Sequence, residues 1–442
     1  MMNKKETLIG IIVIITLSLI LGLLWFLIIN NTNSNNIQSI NTSSNTVYSA
    51  VKKITKDENI KNKSYKSIKA NQNVVLIKNK INSLLSNLKI NKSGDSNGGD
   101  NTSFYGTNSG ILAKDGANLT IKNSTIKTNA TGANGVFSYG GSATTQNSSG
   151  DGTTVNISDS KITTTKDDSG GIMTTGGGVM NANNLIINTA GTSSAAIRSD
   201  RGGGVVKVNK GTYTTTGKGS PAVYSTADIT VKNATLISKA SEGLVIEGKN
   251  KIKLEKVKLI DTNNTLNGQS TTYKNIFIYQ SMSGDADNGT AEFSSKNSTI
   301  VTNKGDSLYV TNTKANITLE NNKITNKDKT SNFIRIKKDS WGNSGSNGGD
   351  VNLKLINQKV KGNIVVDSIS KLTMKLTNKS SYTGTINNKN TAKYIKLVLS
   401  KNSKIKLTGD SYISELDDKD STYSNIDLNG YKLYVGGKQL KK

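Results

Sequence analysis

The stretch from Gly219 to Ala240 reads GSPAVYSTADITVKNATLISKA and holds two short runs typical of β-strands. The first run is Ala222–Ser225. The second alternates apolar and polar residues through Ile229 and Val231, and Leu236 follows after a turn. Alternating β-branched residues interrupted by Gly, Ser, Asp and Asn predict strands joined by turns. A similar pattern begins again directly afterwards, so this stretch is one repeat of a longer array.

Copies of this unit follow one another at intervals of roughly 20–30 residues, which is the signature of a solenoid. The inward residue of the first strand is predicted at Ile111, Val136, Ile172, Ile197, Val223, Val245, Phe277, Leu308, Ile334 and Ile364. The apolar pair of the second strand is predicted to begin at Ser83, Leu119, Val155, Val206, Ile229, Ile252, Phe293, Ile317, Leu353, Met374 and Ile405. The pattern predicts an all-β, right-handed parallel β-helix of about eleven coils, ~4.8 Å apart.

Asparagine recurs at one position of the repeat, directly after the second strand. Examples are Asn87, Asn123, Asn233, Asn297, Asn321, Asn357 and Asn378. Asparagine tolerates the left-handed backbone conformation and bonds neighbouring backbone, so we expect a structural ladder of asparagines at a turn.

The composition excludes several kinds of chemistry. The 442 residues include no His, no Cys and a single proline, Pro221. Cys/His zinc sites, thiol nucleophiles, histidine bases and disulfides are therefore excluded. The formal net charge is +26 and comes almost entirely from lysine. Because the lysines are dispersed rather than gathered in an arginine-rich stripe, we expect no nucleic-acid partner but a solvated basic surface, or attraction to anionic wall polymers.

Residues 8–29 form an uncharged run dominated by Leu and Ile. At 1.5 Å per helical residue this run is long enough to span a bilayer, and Lys4 and Lys5 before it favour a cytoplasmic N-terminus. The prediction is a cytoplasmic segment 1–7, a single transmembrane helix 8–29, a flexible stalk 30–46 and an extracellular β-helix 47–442, which places the protein in the cell membrane. The alternative is a cleaved signal peptide, although the run is long for one.

Residues 47–92 allow two interpretations. Ile81 and Leu88 fit one face of a helix, whereas Leu85 and Ile90 reproduce the strand spacing of the repeat. We interpret the segment as the first β-coil.

Longer connections concentrate at two corners of the coil. One corner carries Gly140–Thr154, Ser281–Ala291 and Asp339–Asp350, and a second carries Ser93–Thr107 and Asp261–Lys274. Insertions stacked on one edge of a solenoid often form a binding rim. They also occur as tolerated length variation in surface loops.

One of these insertions has the composition of a cation site. It reads Ser-Gly-Asp-Ala-Asp-Asn-Gly over residues 283–289. Asp285 and Asp287 supply the oxygen ligands that Ca²⁺ prefers, and they are the candidate metal ligands. The closing glutamate of an EF-hand loop is missing, and turn chemistry alone also accounts for such a cluster.

The outward neighbours of the first strand form an apolar row with two arginines: Leu112, Phe137, Met173, Arg198, Tyr224, Ile246, Ile278, Tyr309, Arg335 and Val365. The equivalent row of the second strand is polar: Thr120, Asn156, Lys207, Thr230, Lys253, Ser294, Thr318, Lys354 and Lys375. An exposed apolar row marks an interaction surface. The candidate sugar-binding residues are Phe137, Arg198, Tyr224, Ile278, Tyr309 and Arg335. Alternatively, the insertions cover this row or two rods pair along it.

One acidic and basic cluster is compatible with catalysis. Equivalent positions of neighbouring coils lie ~4.8 Å apart, and Asp200, next to Arg201, lies two coils from Glu247, so the two carboxyls could fall in the range that glycoside hydrolysis needs. Glycoside hydrolases hold their two carboxyls roughly 5–9.5 Å apart. A polysaccharide lyase would need calcium and an Arg or Lys base instead. The same residue types are ordinary constituents of turns.

Segments along the whole repeat array carry a resemblance. They are Phe104-Tyr-Gly-Thr-Asn, Ala133-Asn-Gly-Val-Phe-Ser-Tyr-Gly-Gly, Ser194-Ala-Ala-Ile-Arg-Ser-Asp-Arg-Gly-Gly-Gly, Ile278-Tyr-Gln-Ser-Met-Ser-Gly-Asp, Leu308-Tyr-Val-Thr-Asn-Thr, Trp341-Gly-Asn-Ser-Gly-Ser-Asn-Gly-Gly and Gly409-Asp-Ser-Tyr. In order, from about Val47 to Leu440, they resemble a family of adhesin-like right-handed β-helix surface proteins of gut bacteria and archaea. The resemblance implies the fold and a cell-surface setting but no catalytic residues. A distant likeness to pectate-lyase-type folds concerns the fold alone.

Together these observations predict a membrane-tethered, adhesin-like protein that binds carbohydrate, or another ligand on a host or envelope surface, without turnover. The alternatives are a polysaccharide lyase or glycoside hydrolase and a purely structural envelope rod.

Overall fold

The structure is a computed structural model that describes residues 46–97, 99–142 and 149–441. The predicted cytoplasmic segment 1–7, the predicted transmembrane helix 8–29 and nearly all of the predicted stalk 30–46 lie outside these residues. Within the described part of the chain, no helix has the length and apolar character needed to cross a membrane.

A sheet of twelve parallel strands, here called the first sheet, runs along the described chain. Each strand pairs with the corresponding strand of the next coil. Val223 lies between Ile197 and Leu244, as the repeat at 219–240 predicts for a stacked array. The strands are Ser49–Ile54, Gln72–Ile77, Ile111–Ala113, Val136–Tyr139, Ile172–Thr175, Ile197–Ser199, Val223–Ser225, Leu244–Glu247, Lys274–Tyr279, Asp306–Thr311, Ile334–Ile336 and Ile364–Val366.

The second sheet contains 22 strands, because most coils contribute two strands to it and two long strands span both positions. Its strands are Glu58–Lys61, Ser64–Ser67, Asn82–Ser86, Lys89–Lys92, Asn118–Lys122, Thr125–Thr128, Thr154–Ser158, Lys161–Thr164, Gly178–Thr189, Gly204–Thr215, Asp228–Lys232, Thr235–Ser238, Lys251–Glu255, Lys258–Asp261, Thr290–Lys296, Thr299–Thr302, Thr313–Glu320, Lys323–Asn326, Gly349–Ile356, Lys371–Thr377, Tyr394–Leu399 and Glu415–Asp418. The predicted all-β array of parallel strands is therefore confirmed, with twelve strands in the first sheet where about eleven coils were expected. The interpretation of residues 47–92 as strands rather than a helix is also confirmed.

Two smaller sheets complete the C-terminal coils. One comprises Lys359–Lys361, Ser381–Gly384, Lys404–Leu407 and Ile426–Asp427, and the other comprises Ser411–Ile413, Leu433–Val435 and the antiparallel strand Lys438–Gln439. The prediction that Ile405 begins a second strand is wrong. The second strand of that coil is Tyr394–Leu399, and Ile405 pairs with Tyr382 as a third strand. Both runs alternate apolar residues, so alternation alone did not separate them.

The predicted asparagine corner is confirmed. Asn123, Asn233 and Asn297 have φ angles of 50°, 52° and 51°, in the left-handed region that asparagine tolerates. Lys210 and Lys256 occupy the same position in other coils, at 62° and 54°. Several corner amides bond along the stack, as where Asn233 Nδ2 donates to Asn209 Oδ1 at 2.8 Å. The corner marks the junction of the second and third strand positions, and in the long strands Gly178–Thr189 and Gly204–Thr215 it falls inside a continuous strand.

The core lies inside the coil, where inward residues stack from one end of the array to the other. Ile229, Val231 and Leu236 are fully buried in this column, as their spacing predicts. Tyr213 occupies the Leu236 position one coil earlier, and its hydroxyl donates to the Lys210 carbonyl at 3.1 Å. A continuous apolar column is what makes each coil depend on its neighbours.

In two coils the predicted facing of the first strand is wrong by one residue. Tyr224 pairs with Val245, and Val245 pairs with Phe277. Val245 and Phe277 therefore belong to the outward row, whereas Ile278, like Ile246, is buried in the interior column. A shift of one residue along a strand moves every side chain to the other face. Ile278 is thus a core residue and not a surface contact.

Candidate functional site

The outward side of the first sheet, here called the covered face, is buried over most of its length. Towards the N-terminal coils, Phe137 and Met173 are fully buried in an apolar cluster with Phe104 and Tyr105. The latter two residues belong to the insertion Ser93–Thr107, which contains the short helix Asp100–Ser103. In this part of the first sheet, an insertion covers the outward apolar row, which was one of the alternatives from sequence.

A second insertion covers the C-terminal half of the same face. Trp341, from the insertion Asp339–Asp350, packs against Phe277 and Tyr279 with ring centroids 5.2 and 5.3 Å apart. Tyr309 is fully buried in the same cluster, and its hydroxyl donates to Asp339 Oδ2. Phe277 and Tyr309 are therefore buried within this cluster, whereas Tyr279 and Trp341 remain partly exposed at its edge.

A buried lysine anchors this cluster. The Lys274 ammonium lies 4.4 Å from the centre of the Phe277 ring and 4.8 Å from that of Tyr309. It donates to Ser270 Oγ at 2.5 Å and to the Thr272 carbonyl at 2.9 Å. Burial lowers the pKa of Lys274. The nearby Glu242 carboxylate raises this pKa and so offsets part of the effect. The ammonium also lies 5.8 Å from the centre of the Trp341 ring, so Lys274, at the end of one insertion, contacts the insertion that carries Trp341.

Arginines cross the middle of the covered face. Arg198 pairs with Asp200 at 2.8 Å, and both side chains are largely buried. Arg201 stacks on the Phe104 ring at 3.9 Å and pairs with Asp285 at 3.0 Å. Arg201 thus joins the insertion that carries Phe104 to the insertion that carries Asp285. Arg198, predicted as a sugar contact, is thus paired with Asp200, and Arg201, a catalytic candidate, holds two insertions together.

Glu247 is an almost fully enclosed carboxylate, with 1% of its surface exposed. The hydroxyls of Tyr224 and Tyr279 both donate to its Oε2, the latter at 3.1 Å, and Ser281 Oγ donates to Oε1. Burial raises the pKa of Tyr224 well above its usual value, with the Tyr279 hydroxyl and the Glu247 carboxylate adding to the rise. The Tyr224 hydroxyl therefore remains protonated and acts as a donor.

The catalytic candidates lie in one region but are bonded internally. Burial raises the pKa of Asp200 to about 6, against the Arg198 guanidinium, which lowers it. At pH 7 the Asp200 carboxylate is mostly ionised and pairs with Arg198. Its other oxygen accepts the Arg201 backbone N–H at 3.0 Å. Asp200, Arg201 and Glu247 all lie beneath or against insertions, so the arrangement is one of loop attachment.

The candidate calcium ligands are paired with cations. Asp285 bonds Arg201 and also accepts from Ser283 Oγ at 3.1 Å, while Asp287 pairs with Lys249 at 2.9 Å. Among the described residues, no group of three acidic, His or Cys side chains could hold a metal ion. Calcium binding at Asp285 and Asp287 stays a prediction, and it would have to displace both basic side chains.

Arg335 is likewise engaged. Its guanidinium pairs with Asp306, whose side chain is 1% exposed. The same carboxylate accepts from the Asn332 backbone and amide, at 2.8 and 2.7 Å. Of the six predicted sugar-binding residues, Phe137, Ile278 and Tyr309 are fully buried, and Arg198, Tyr224 and Arg335 are partly buried in hydrogen-bonded contacts.

An open groove of about 670 Å³ lies instead on the outward side of the second sheet. It is called the polar groove here. Two rows of side chains, from six successive coils, line it. The first row is Thr120, Asn156, Asn181, Lys207, Thr230 and Lys253, and the second is Lys122, Ser158, Asn183, Asn209 and Lys232. The strand register aligns each row, for example Lys207 beside Thr230 and Thr230 beside Lys253.

Asparagine amides of the first row bond to one another and to Asn118 beside the polar groove. Asn181 Nδ2 donates to Asn156 Oδ1 at 2.9 Å, and Asn156 Nδ2 donates to Asn118 Oδ1 at 3.3 Å. Each amide nitrogen carries two N–H groups, so one remains for a ligand at each step. These bonds hold Asn156 and Asn181 in place before any ligand arrives.

The charge of the polar groove is positive. The described residues that line it include no acidic residue. They include four lysines: Lys122, Lys207, Lys232 and Lys253. Lys232 is paired with Glu255 of the next coil at 2.9 Å. Lys207 and Lys253 are exposed and make no ion pair with a described residue. The sequence analysis identified the first row as polar and lysine-bearing. It missed the second row, two residues further along each strand, which completes the groove.

The fold and these surfaces define a class, a solenoid of parallel β-strands with one face covered by insertions and another open. Comparison of the chain with known protein families, with curated proteins and with solved structures gives no match. The functional argument therefore rests on the residues of this chain alone.

Proposed function

We propose that this chain is a membrane-tethered extracytoplasmic protein, with a right-handed coil, that binds a polysaccharide along the polar groove without cleaving it. The right-handed sense follows the strong preference of parallel crossover connections. The transmembrane segment 8–29 supplies the tether, and the adhesin-like surface setting comes from the sequence resemblance. The observation that carries the proposal is the polar groove itself, which is six coils long and has two neighbouring asparagines of its first row bonded to each other.

The shape of the polar groove favours a linear polymer. Six strands at ~4.8 Å give a length of about 25 Å, which accommodates several sugar residues in a row. Hydroxyl, amide and ammonium groups recur at each coil and match the hydroxyl-rich surface of a polysaccharide. Binding without turnover is favoured because Asp200 and Glu247, the carboxyls considered for hydrolysis, are buried on the covered face.

Blocking the polar groove tests this function. Thr230 lies in its first row, and Thr318 lies in the same row two coils beyond Lys253. Both threonines point outward and are partly exposed. In the full-length chain, Thr230→Trp fills the groove, so we expect retention on the polysaccharides that bind the native protein to weaken at least about tenfold, or ~1.4 kcal/mol. Thr318→Trp adds the same bulk outside the groove and should bind as the native chain does.

The measurement is affinity electrophoresis through gels that contain pectin, hyaluronan, mucin glycans or a neutral glucan, together with an assay for new reducing or unsaturated ends. Equal retardation of the native chain and both tryptophan variants would overturn the groove as the binding surface. New chain ends would favour an enzyme. Absence of retention on every polymer would leave the structural rod.

A further inference from the structure

The charges of the polar groove carry information about the ligand beyond its being a polysaccharide. Lys207 and Lys253 lie in one row with Thr230 between them. Two strand spacings separate them, which is ~9.6 Å. Both ammonium groups are exposed and free of ion pairs with described residues. The groove thus presents two exposed ammonium groups two coils apart in its first row, and Lys122 of the second row lies three coils before Lys207.

Between the two lysines the groove offers neutral partners. Thr230 occupies the intervening coil, and Lys232 of that same coil is paired with Glu255. On the other side of Lys207, the row continues as Asn181 and Asn156. A ligand lying along this row therefore meets a charge, a neutral hydrogen-bonding group and a second charge in turn.

We infer that the ligand is an acidic polysaccharide whose carboxylate or sulfate groups fall on alternate sugar residues. The interval between Lys207 and Lys253 is close to the length of an extended disaccharide, so each acid group can meet an ammonium while the sugar between them meets Thr230. Lysine suits this purpose because it acts as a point charge that accepts carboxylate or sulfate alike. The inference rests on the proposed binding function of the groove and specifies its ligand.

The electrostatic consequences are specific. Exposed ion pairs are screened by salt, so retention of the acidic polymer weakens steeply as ionic strength rises. A charge on every sugar residue adds carboxylates that face Thr230 without a cation. The structure therefore predicts that binding does not simply increase with the charge density of the polymer.

The experiment compares two double variants of the full-length chain. Lys207→Ala with Lys253→Ala removes the spaced pair, and Lys161→Ala with Lys258→Ala removes two exposed lysines from the third strands of coils that line the groove. The probes are hyaluronan, with one carboxylate per disaccharide, polygalacturonate, with one per residue, and a neutral glucan. Binding is measured at low and high salt.

We expect the Lys207 and Lys253 double variant to lose about five- to thirtyfold in affinity for hyaluronan, as two exposed ion pairs would supply. The control variant should lose less than about twofold, and Lys207→Arg with Lys253→Arg should retain binding. Hyaluronan should bind at least as well as polygalacturonate despite its lower charge density.

The inference is overturned by equal losses in the two alanine variants, by affinity that follows charge density alone, or by equal binding of the neutral glucan at all salt concentrations. These outcomes are separable from the failure of the proposed function. If Thr230→Trp weakens retention while the lysine variants do not, the groove binds polysaccharide but the spaced charges do not select it.

Discussion

Replacement of Phe137 by alanine should lower the free energy of unfolding by about 3–5 kcal/mol, the usual cost of deleting a buried aromatic side chain. Phe137 lies in the row where sugar contacts were predicted, but it is fully buried among Leu112, Met173 and the insertion that carries Phe104. A ring at an exposed binding surface would cost far less to remove. Measurements of stability and of ligand retention therefore distinguish a buried structural role for Phe137 from a role as a sugar contact.

The measurement is the denaturant midpoint of the full-length chain, followed by far-ultraviolet circular dichroism. Tyr431, which is 41% exposed, supplies the control, and Tyr431→Ala should change the free energy of unfolding by less than about 0.5 kcal/mol. Retention of polysaccharide by Phe137→Ala under native conditions should match that of the native chain. An unchanged midpoint combined with lost retention would mean that the covered face is open and binds the ligand.

The second large effect is expected at Glu247. Glu247→Ala removes the shared acceptor of three hydroxyls, from Tyr224, Tyr279 and Ser281. Each buried donor left without a partner costs about 1–3 kcal/mol. Ser281 begins an insertion, and its hydroxyl can turn to water. We therefore expect the free energy of unfolding to fall by about 3 kcal/mol rather than by the full sum.

Hydrogen exchange should show where the loss at Glu247 acts. Amides of residues 281–285 should exchange faster in Glu247→Ala, while those of the distant strand Lys371–Thr377 should keep their native rates. Glu292→Ala is the matched control, because that carboxylate is half exposed and pairs with Lys251 at the surface, where ion pairs contribute little. A native exchange profile in Glu247→Ala would contradict the attachment role of this carboxylate.

The fold could be predicted from sequence because its determinants are local and repeated. Ile229, Val231 and Leu236 alternate with polar residues, and the corner at Asn233 needs the left-handed conformation that asparagine tolerates. These signals recur in each coil, and stacking adds only neighbour contacts.

The facing of the first strand was harder to predict. Residues 276–279 are all apolar or aromatic, so no alternation with polar residues shows which side chains point inward. Both sides of this strand are buried, one by the coil interior and the other by Trp341 and its insertion. A strand covered on both faces loses the alternation that a half-exposed strand displays. The same cover explains why the aromatic row looked like a binding surface.

Contacts between insertions lay beyond sequence reasoning altogether. Arg201 meets Phe104 and Asp285, which are far from it in the chain and come from two different loops. The sequence spacing of these residues does not indicate that Arg201 contacts Phe104 and Asp285. The polar groove was predicted in part, since Thr230, Lys207 and Lys253 were placed in one outward row.

The central claim is that ligand binds along the polar groove and not on the covered face. The most direct measurement is the rate of chemical acetylation of each lysine in the full-length chain, with and without saturating hyaluronan, read by mass spectrometry. Protection should be strongest at Lys207 and Lys253, while Lys161 and Lys258 on the neighbouring strands keep their free rates. Equal rates at all four lysines with ligand bound would contradict the claim.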